Sequence, residues 1–143
     1  MNTERNNYLI AGAALSGFAA LLHLGCVVFG APWYRFLGAG ERVARMDLAG
    51  HWLPTAMALA MACLLSVWAL YALSGAGVIR KLPYVRLALC FITAIYFLRG
   101  LAFPPLILVF PDNSTAFWLA SSAICVLFGV VHLLGLKQAW WKL

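Results

Sequence analysis

Apolar positions along this chain gather into four long blocks separated by short polar connections. The blocks are residues 8–30 (YLIAGAALSGFAALLHLGCVVFG), 52–74 (WLPTAMALAMACLLSVWALYALS), 87–110 and 116–136 (AFWLASSAICVLFGVVHLLGL). Each reaches the roughly 20 residues that a helix rising 1.5 Å per residue needs to cross the hydrocarbon core. The period-two alternation of a barrel strand is absent. The pattern predicts an all-α integral membrane protein, a four-transmembrane-helix bundle formed by a single domain over residues 1–143. The first block is longer than the apolar region of a signal peptide, about 7–15 residues, and Pro32 follows its only cleavage-like site, so it is expected to stay as a helix.

Within the blocks, small and polar residues fall at helical spacing. Through His23 the first block aligns Gly12, Ser16, Ala19, Ala20, Cys26 and Gly30. From His51 the second aligns Thr55, Ala58, Ala62, Ser66 and Ala69, and through His132 the fourth aligns Ser121, Ser122, Cys125, Gly129 and Gly135. Such stripes let helix backbones approach in lipid, where no hydrophobic drive separates helix from solvent. Each histidine is therefore expected to face the interior, either as a functional group or as a hydrogen-bonded packing residue.

The third block breaks the pattern. YFLRGLAFPPLILVF, residues 96–110, sets Arg99 in an apolar run and Pro104-Pro105 just after it. A guanidinium does not lose its proton in proteins, and at mid-membrane it costs about 2.5–3.5 kcal/mol on insertion scales. The prolines withdraw the N–H groups owed to the carbonyls of Gly100 and Leu101. Phe103 is expected to end the regular helix, with residues 106–110 continuing as a kinked or re-entrant piece. Irregular backbone at that depth is tolerated only in protein or beside a wet cavity. Arginine and prolines together predict one polar site in the outer half of the bundle, lined by Arg99, His23, Tyr96, His51 and Glu41. Counting along the helices puts His23 and Arg99 at one level, His51 above them and His132 apart.

The connections add a lid candidate. In APWYRFLGAGERVARMDLAGH, Trp33, Tyr34, Phe36 and Leu37 suit an interfacial amphipathic segment, Gly38 and Gly40 a flexible joint, and Glu41 with Arg45 an i,i+4 pair. The segment either folds over the Arg99 site or rests at the headgroups. PDNST reads as a turn and N-cap for the last helix.

Composition agrees with a bilayer as the main solvent: 65% of residues are hydrophobic and 10% charged. The net charge of +6 lies in short runs beside the blocks, which fits lipid headgroups and argues against nucleic acid. Of the loop and terminal Lys and Arg, six (Arg5, Arg80, Lys81, Arg86, Lys137, Lys142) lie on the side of the termini and three (Arg35, Arg42, Arg45) on the other. Both termini are thus expected in the cytoplasm, in a multi-pass protein of a bacterial inner membrane. Cys26, Cys63, Cys90 and Cys125 fall one per block and read as packing residues.

No cofactor is expected. His23 and His132 differ in depth by about 16 Å, too much for two axial ligands of one haem, and no metal-ligand spacing or nucleotide-binding motif occurs. All four acids, Glu4, Glu41, Asp47 and Asp112, lie in connections or the terminus, so no triad has an orienting acid in the spans. The reading that ranks first is binding or transport of a small anion or an anionic lipid headgroup, more a binding protein than an enzyme. Transport through four spans would require a homo-oligomer. An accessory subunit of a larger membrane complex ranks second, and a lipid- or isoprenoid-modifying enzyme using His23 or His51 as acid–base group ranks third.

Overall fold

The computed structural model describes residues 5–109, 111 and 113–143. All regular structure among them is helical: α1 (Asn7–Phe29), α2 (Ala31–Phe36), α3 (Glu41–Leu48), α4 (Trp52–Gly75), α5 (Val85–Leu101), α6 (Phe103–Val109) and α7 (Thr115–Ala139). Three of these, α1, α4 and α7, are long and apolar enough to cross a membrane. α5 and α6 pass the same test only as a pair, bent by 51° at their junction. By length and composition this is a multi-pass membrane protein.

The helix ends follow local chemistry. Asn6 caps α1, its Oδ1 accepting from the Leu9 N–H at 3.0 Å, while its amide donates to the Gly135 carbonyl of α7 at 2.7 Å. Ser114 caps α7 by accepting from the Phe117 N–H at 3.1 Å, as the turn sequence predicts. At the other break the expectation needs correction by a turn boundary. α5 ends at Leu101, and Phe103 opens α6 rather than closing α5. Pro104 and Pro105 then lie in the first turn of α6, where a missing N–H leaves no bond unmade. Phe110 and Asp112 lie outside the described residues.

α1 packs along α4 and against α7, and α5 packs along α7 and against α4. α1 and α5 therefore occupy opposite corners. The core between them holds Leu9, Leu65, Trp68, Leu89, Ile92, Tyr96 and Phe128. Glycines allow the close approaches: a Cβ on Gly135 would stand 2.6 Å from Cγ of Leu9, and one on Gly100 only 3.1 Å from the Ser122 carbonyl oxygen. Gly100 thereby seats α5 on α7.

Two of the three polar stripes turn inward. Gly12, Ser16, Ala20 and Cys26 of α1 are buried, as are Ser122, Gly129, His132 and Gly135 of α7. In α4 the buried face runs Pro54, Ala58, Ala62, Leu65, Trp68 and Ala72, so the expected stripe is left after Ala62. Ser66 faces outward and donates to the Ala62 carbonyl at 2.7 Å. That bond to the preceding turn lets a hydroxyl face lipid, and the core takes the larger Leu65 and Trp68 instead.

Candidate functional site

Arg99 stands in the last turn of α5, against α7. Its Nη2 donates to Oγ of Ser121 at 3.2 Å, and its guanidinium carbon lies 5.4 Å from the ring centroid of Trp118, one turn away on the same helix. Nη1 is buried and has no hydrogen-bond partner among the described residues. The side chain is thus only partly exposed and lies against Ser121 and Trp118 of α7. Ser121 in turn donates to the Trp118 carbonyl at 3.5 Å, the long limit of a hydrogen bond, which leaves its lone pairs toward the arginine.

Tyr96 lies one turn earlier on α5 and is the centre of a second polar group. Its hydroxyl and that of Ser16 on α1 are 2.9 Å apart, so the opposite corners of the core meet here. Trp68 and Phe128 stand edge-on to the phenol ring at centroid distances of 5.1 and 5.3 Å, and the His132 ring is tilted against it at 5.2 Å. His132 is fully buried; Nδ1 donates to the Phe128 carbonyl at 2.8 Å, while Nε2 has no hydrogen-bond partner among the described residues. With Nδ1 as donor, Nε2 is the acceptor nitrogen whenever the ring is neutral. The ring fits because Gly12 opposite has no side chain: a Cβ there would come within 2.8 Å of Cε1.

His23 does not join Arg99 by any hydrogen bond or ion pair among the described residues. It is half-buried, and Nδ1 is 2.8 Å from the Ala19 carbonyl of its own helix. Measured from the Ser16–Tyr96 contact, His23 lies seven residues along α1 and Arg99 three residues along α5, a height difference of about 6 Å between opposite corners.

His51, expected to face the interior, is exposed and is brought together with Glu41 at the end of the bundle away from the termini. With Arg42, Arg45, Met46 and Ala49 they line an open groove of ≈ 410 Å³, which Arg99 does not reach. Glu41 accepts two hydrogen bonds from Arg35, at 2.7 and 2.9 Å, and a weaker one from Arg45 at 3.4 Å. The bond from Arg35 is the main reason its carboxyl is pulled down to about 2. A carboxylate held that firmly is a clamp between α2 and α3, unsuited to donating a proton near neutrality.

The first loop is anchored, not loose. Tyr34 is buried with Cys26, Ala31, Ala44 and Ala58, and Trp33 stacks on Phe29 at 4.8 Å and presses against Gly25, where a Cβ would collide with its ring. Of the expected interfacial aromatics Phe36 remains exposed. Gly38 and Gly40 take left-handed backbone, φ 76° and 89°, and Gly38 sits on the Phe117 ring so closely that no side chain fits between them. Asn113 donates to the Gly38 carbonyl at 3.0 Å. Phe117 stands edge-on to Trp118 at 5.7 Å, so the loop joint, Phe117, Trp118 and Arg99 form a continuous run of contacts.

Sequence reasoning missed Trp118, Ser121 as the arginine's partner, and Ser16 and His132 as partners of Tyr96. The stripes carried the signal for the last two, since Gly12-Ser16 and His132 lie on the faces that α1 and α7 turn to each other. No family model, no curated protein and no solved structure matches this chain.

Proposed function

We propose that this protein is a four-span membrane bundle that holds a small anion, or the anionic headgroup of a lipid, against Arg99. The observation that carries the reading is Nη1 of Arg99, buried beside Trp118 and Ser121 without an acceptor among the described residues. That open donor favours a further, negative partner. A cation over an aromatic face gains roughly 0.5–2 kcal/mol, and a hydrogen bond from a charged group about 1.5–3. Against these stands a cost of about 2.5–3.5 kcal/mol or more for an arginine at membrane depth. The two sides are of the same size, so what remains unmet is the donor itself: no span contributes an aspartate or glutamate, and an anion would accept from Nη1. The run from Gly38 through Phe117 to Trp118 makes the first loop a cover whose seating is felt at the arginine. Movement of the anion across the bilayer would need several copies of the chain, because the described helices pack on a filled core.

Iodide tests this reading, because a bound heavy anion quenches the neighbouring Trp118. The Trp118 signal, taken as the difference between the wild type and Trp118→Phe in detergent, is expected to fall saturably with iodide. In Arg99→Leu the saturable part is lost and collisional quenching remains. Equal saturable quenching in Arg99→Leu, with both proteins melting cooperatively by circular dichroism, would overturn the proposal.

A further inference from the structure

The end of the molecule that carries both termini has a pocket of its own, far along the helices from Arg99. It measures ≈ 260 Å³ and lies between the start of α1, the end of α4 and the end of α7. Its charged lining is Arg5, Lys81 and Lys142, and no acidic residue borders it among the described residues. The floor is rigid and polar. Asn6 and Ser74, both buried, are fixed by bonds to Leu9, Gly135, Leu82 and Arg80. Lys81 donates to the backbone oxygens of Lys142 at 3.2 Å and of Leu143 at 2.9 Å, which draws the tail against the α4–α5 connection and closes one wall. These bonds occupy Lys81 with backbone oxygens of the tail beyond α7. Arg5 and Lys142 make no ion pair among the described residues.

We propose that this pocket binds a phosphate ester, its phosphate held between Arg5 and Lys142 and its small polar ester against Gln138. Three observations converge on that chemistry. Two cations without an ion pair among the described residues flank one concavity, which suits an acceptor carrying at least one full charge. The volume equals on the order of nine waters at the ≈ 30 Å³ that each takes in the liquid, room for a phosphate with a glycerol-sized group. Trp141 beside it is 91% exposed, and Trp140 lies under the Arg86 guanidinium at 4.0 Å; tryptophans with basic neighbours mark the headgroup level of a bilayer. The same phosphate chemistry is offered by an anionic lipid headgroup and by a soluble ester.

The full-length protein is released from nanodiscs of phosphatidylglycerol or of phosphatidylcholine and weighed by native mass spectrometry. Wild type is expected to keep phosphatidylglycerol adducts over phosphatidylcholine adducts by about tenfold, the factor that 1.4 kcal/mol of preference gives. Arg5→Gln/Lys142→Gln loses that preference, and so does Gln138→Trp, which fills the pocket without altering its charge. Arg99→Leu keeps it, which separates this site from the one around Arg99. In lipid-free detergent, glycerol phosphate that raises the melting temperature of wild type but not of the double variant identifies a soluble ester as the source; adducts without that rise identify the lipid. Equal retention of the two lipids by wild type with no rise from glycerol phosphate, or wild-type retention by both pocket variants, would overturn the proposal.

Discussion

The hydroxyls of Ser16 and Tyr96 lie 2.9 Å apart across the longer diagonal of the core, and join two helices whose backbones do not otherwise pack together. Ser16 is fully buried and Tyr96 nearly so. Without Tyr96's hydroxyl, Ser16 can turn to a carbonyl of its own helix, whereas without Ser16's the phenol is left without this partner. Tyr96→Phe and Ser16→Ala are each expected to cost about 1 kcal/mol, with a coupling of about 0.6 kcal/mol, the average for hydrogen bonds between membrane helices. Thermal unfolding of the two single variants and the double variant in one detergent measures the coupling, and strict additivity would show that the contact contributes nothing.

Gly12 and His132 define a second tight point. A methyl group on residue 12 would meet the imidazole at 2.8 Å, inside van der Waals contact. Gly12→Ala is therefore expected to destabilise by about 1–3 kcal/mol, the usual range for overpacking. Shortening the opposing side chain in Gly12→Ala/His132→Ala should recover part of that loss. A lower melting temperature for the double variant than for Gly12→Ala would disprove the steric explanation.

The clamp at Glu41 has a defined acid limit. Its carboxyl titrates at about 2, against an ordinary value of 4.5. A depressed value means that the clamp stabilises the folded loop fully above pH 4.5 and loses that contribution as pH falls toward 2. With Arg35→Gln the titration of Glu41 moves up toward 4.5, held back only by Arg45. The carboxyl carbon resonance of Glu41 in micelles, followed through pH, reports both midpoints.

Pro104 and Pro105 keep α5 and α6 apart by withholding two N–H groups. In Pro104→Ala/Pro105→Ala those donors return, and one helix from Val85 to Val109 becomes available in place of two bent by 51°. Spin labels at Leu87 and Leu108 are expected to move apart in the double variant. An unchanged distance would assign the bend to the packing of Gly100 on α7.

Much of this architecture was legible in the chain because bilayer thickness and cap chemistry act locally. The first helix is expected at 8–30 and found at Asn7–Phe29, and Ser114 caps where PDNST places a cap. The break at the double proline was foreseen within two residues. Partners across the core were harder to read. His132 was set apart by counting from residue 136, whereas α7 runs on to Ala139 and its ring lies against Tyr96, itself a candidate site residue. Helical periodicity names a face but not its neighbour; only the approach of Gly12 to the imidazole decides that α1 and α7 share it. Arg99 was visible as a problem of charge, but its platform, Trp118, sat among ordinary apolar residues at the head of the next span.

Asn6 has a consequence for biogenesis. Its amide closes on the carbonyl of Gly135, 129 positions later in synthesis. α1 therefore enters the bilayer with that donor still open, and α7 supplies its acceptor only when residue 135 has left the ribosome. Nascent chains stalled before residue 135 should accordingly remain unlatched and protease-sensitive, however many of their helices have already been inserted.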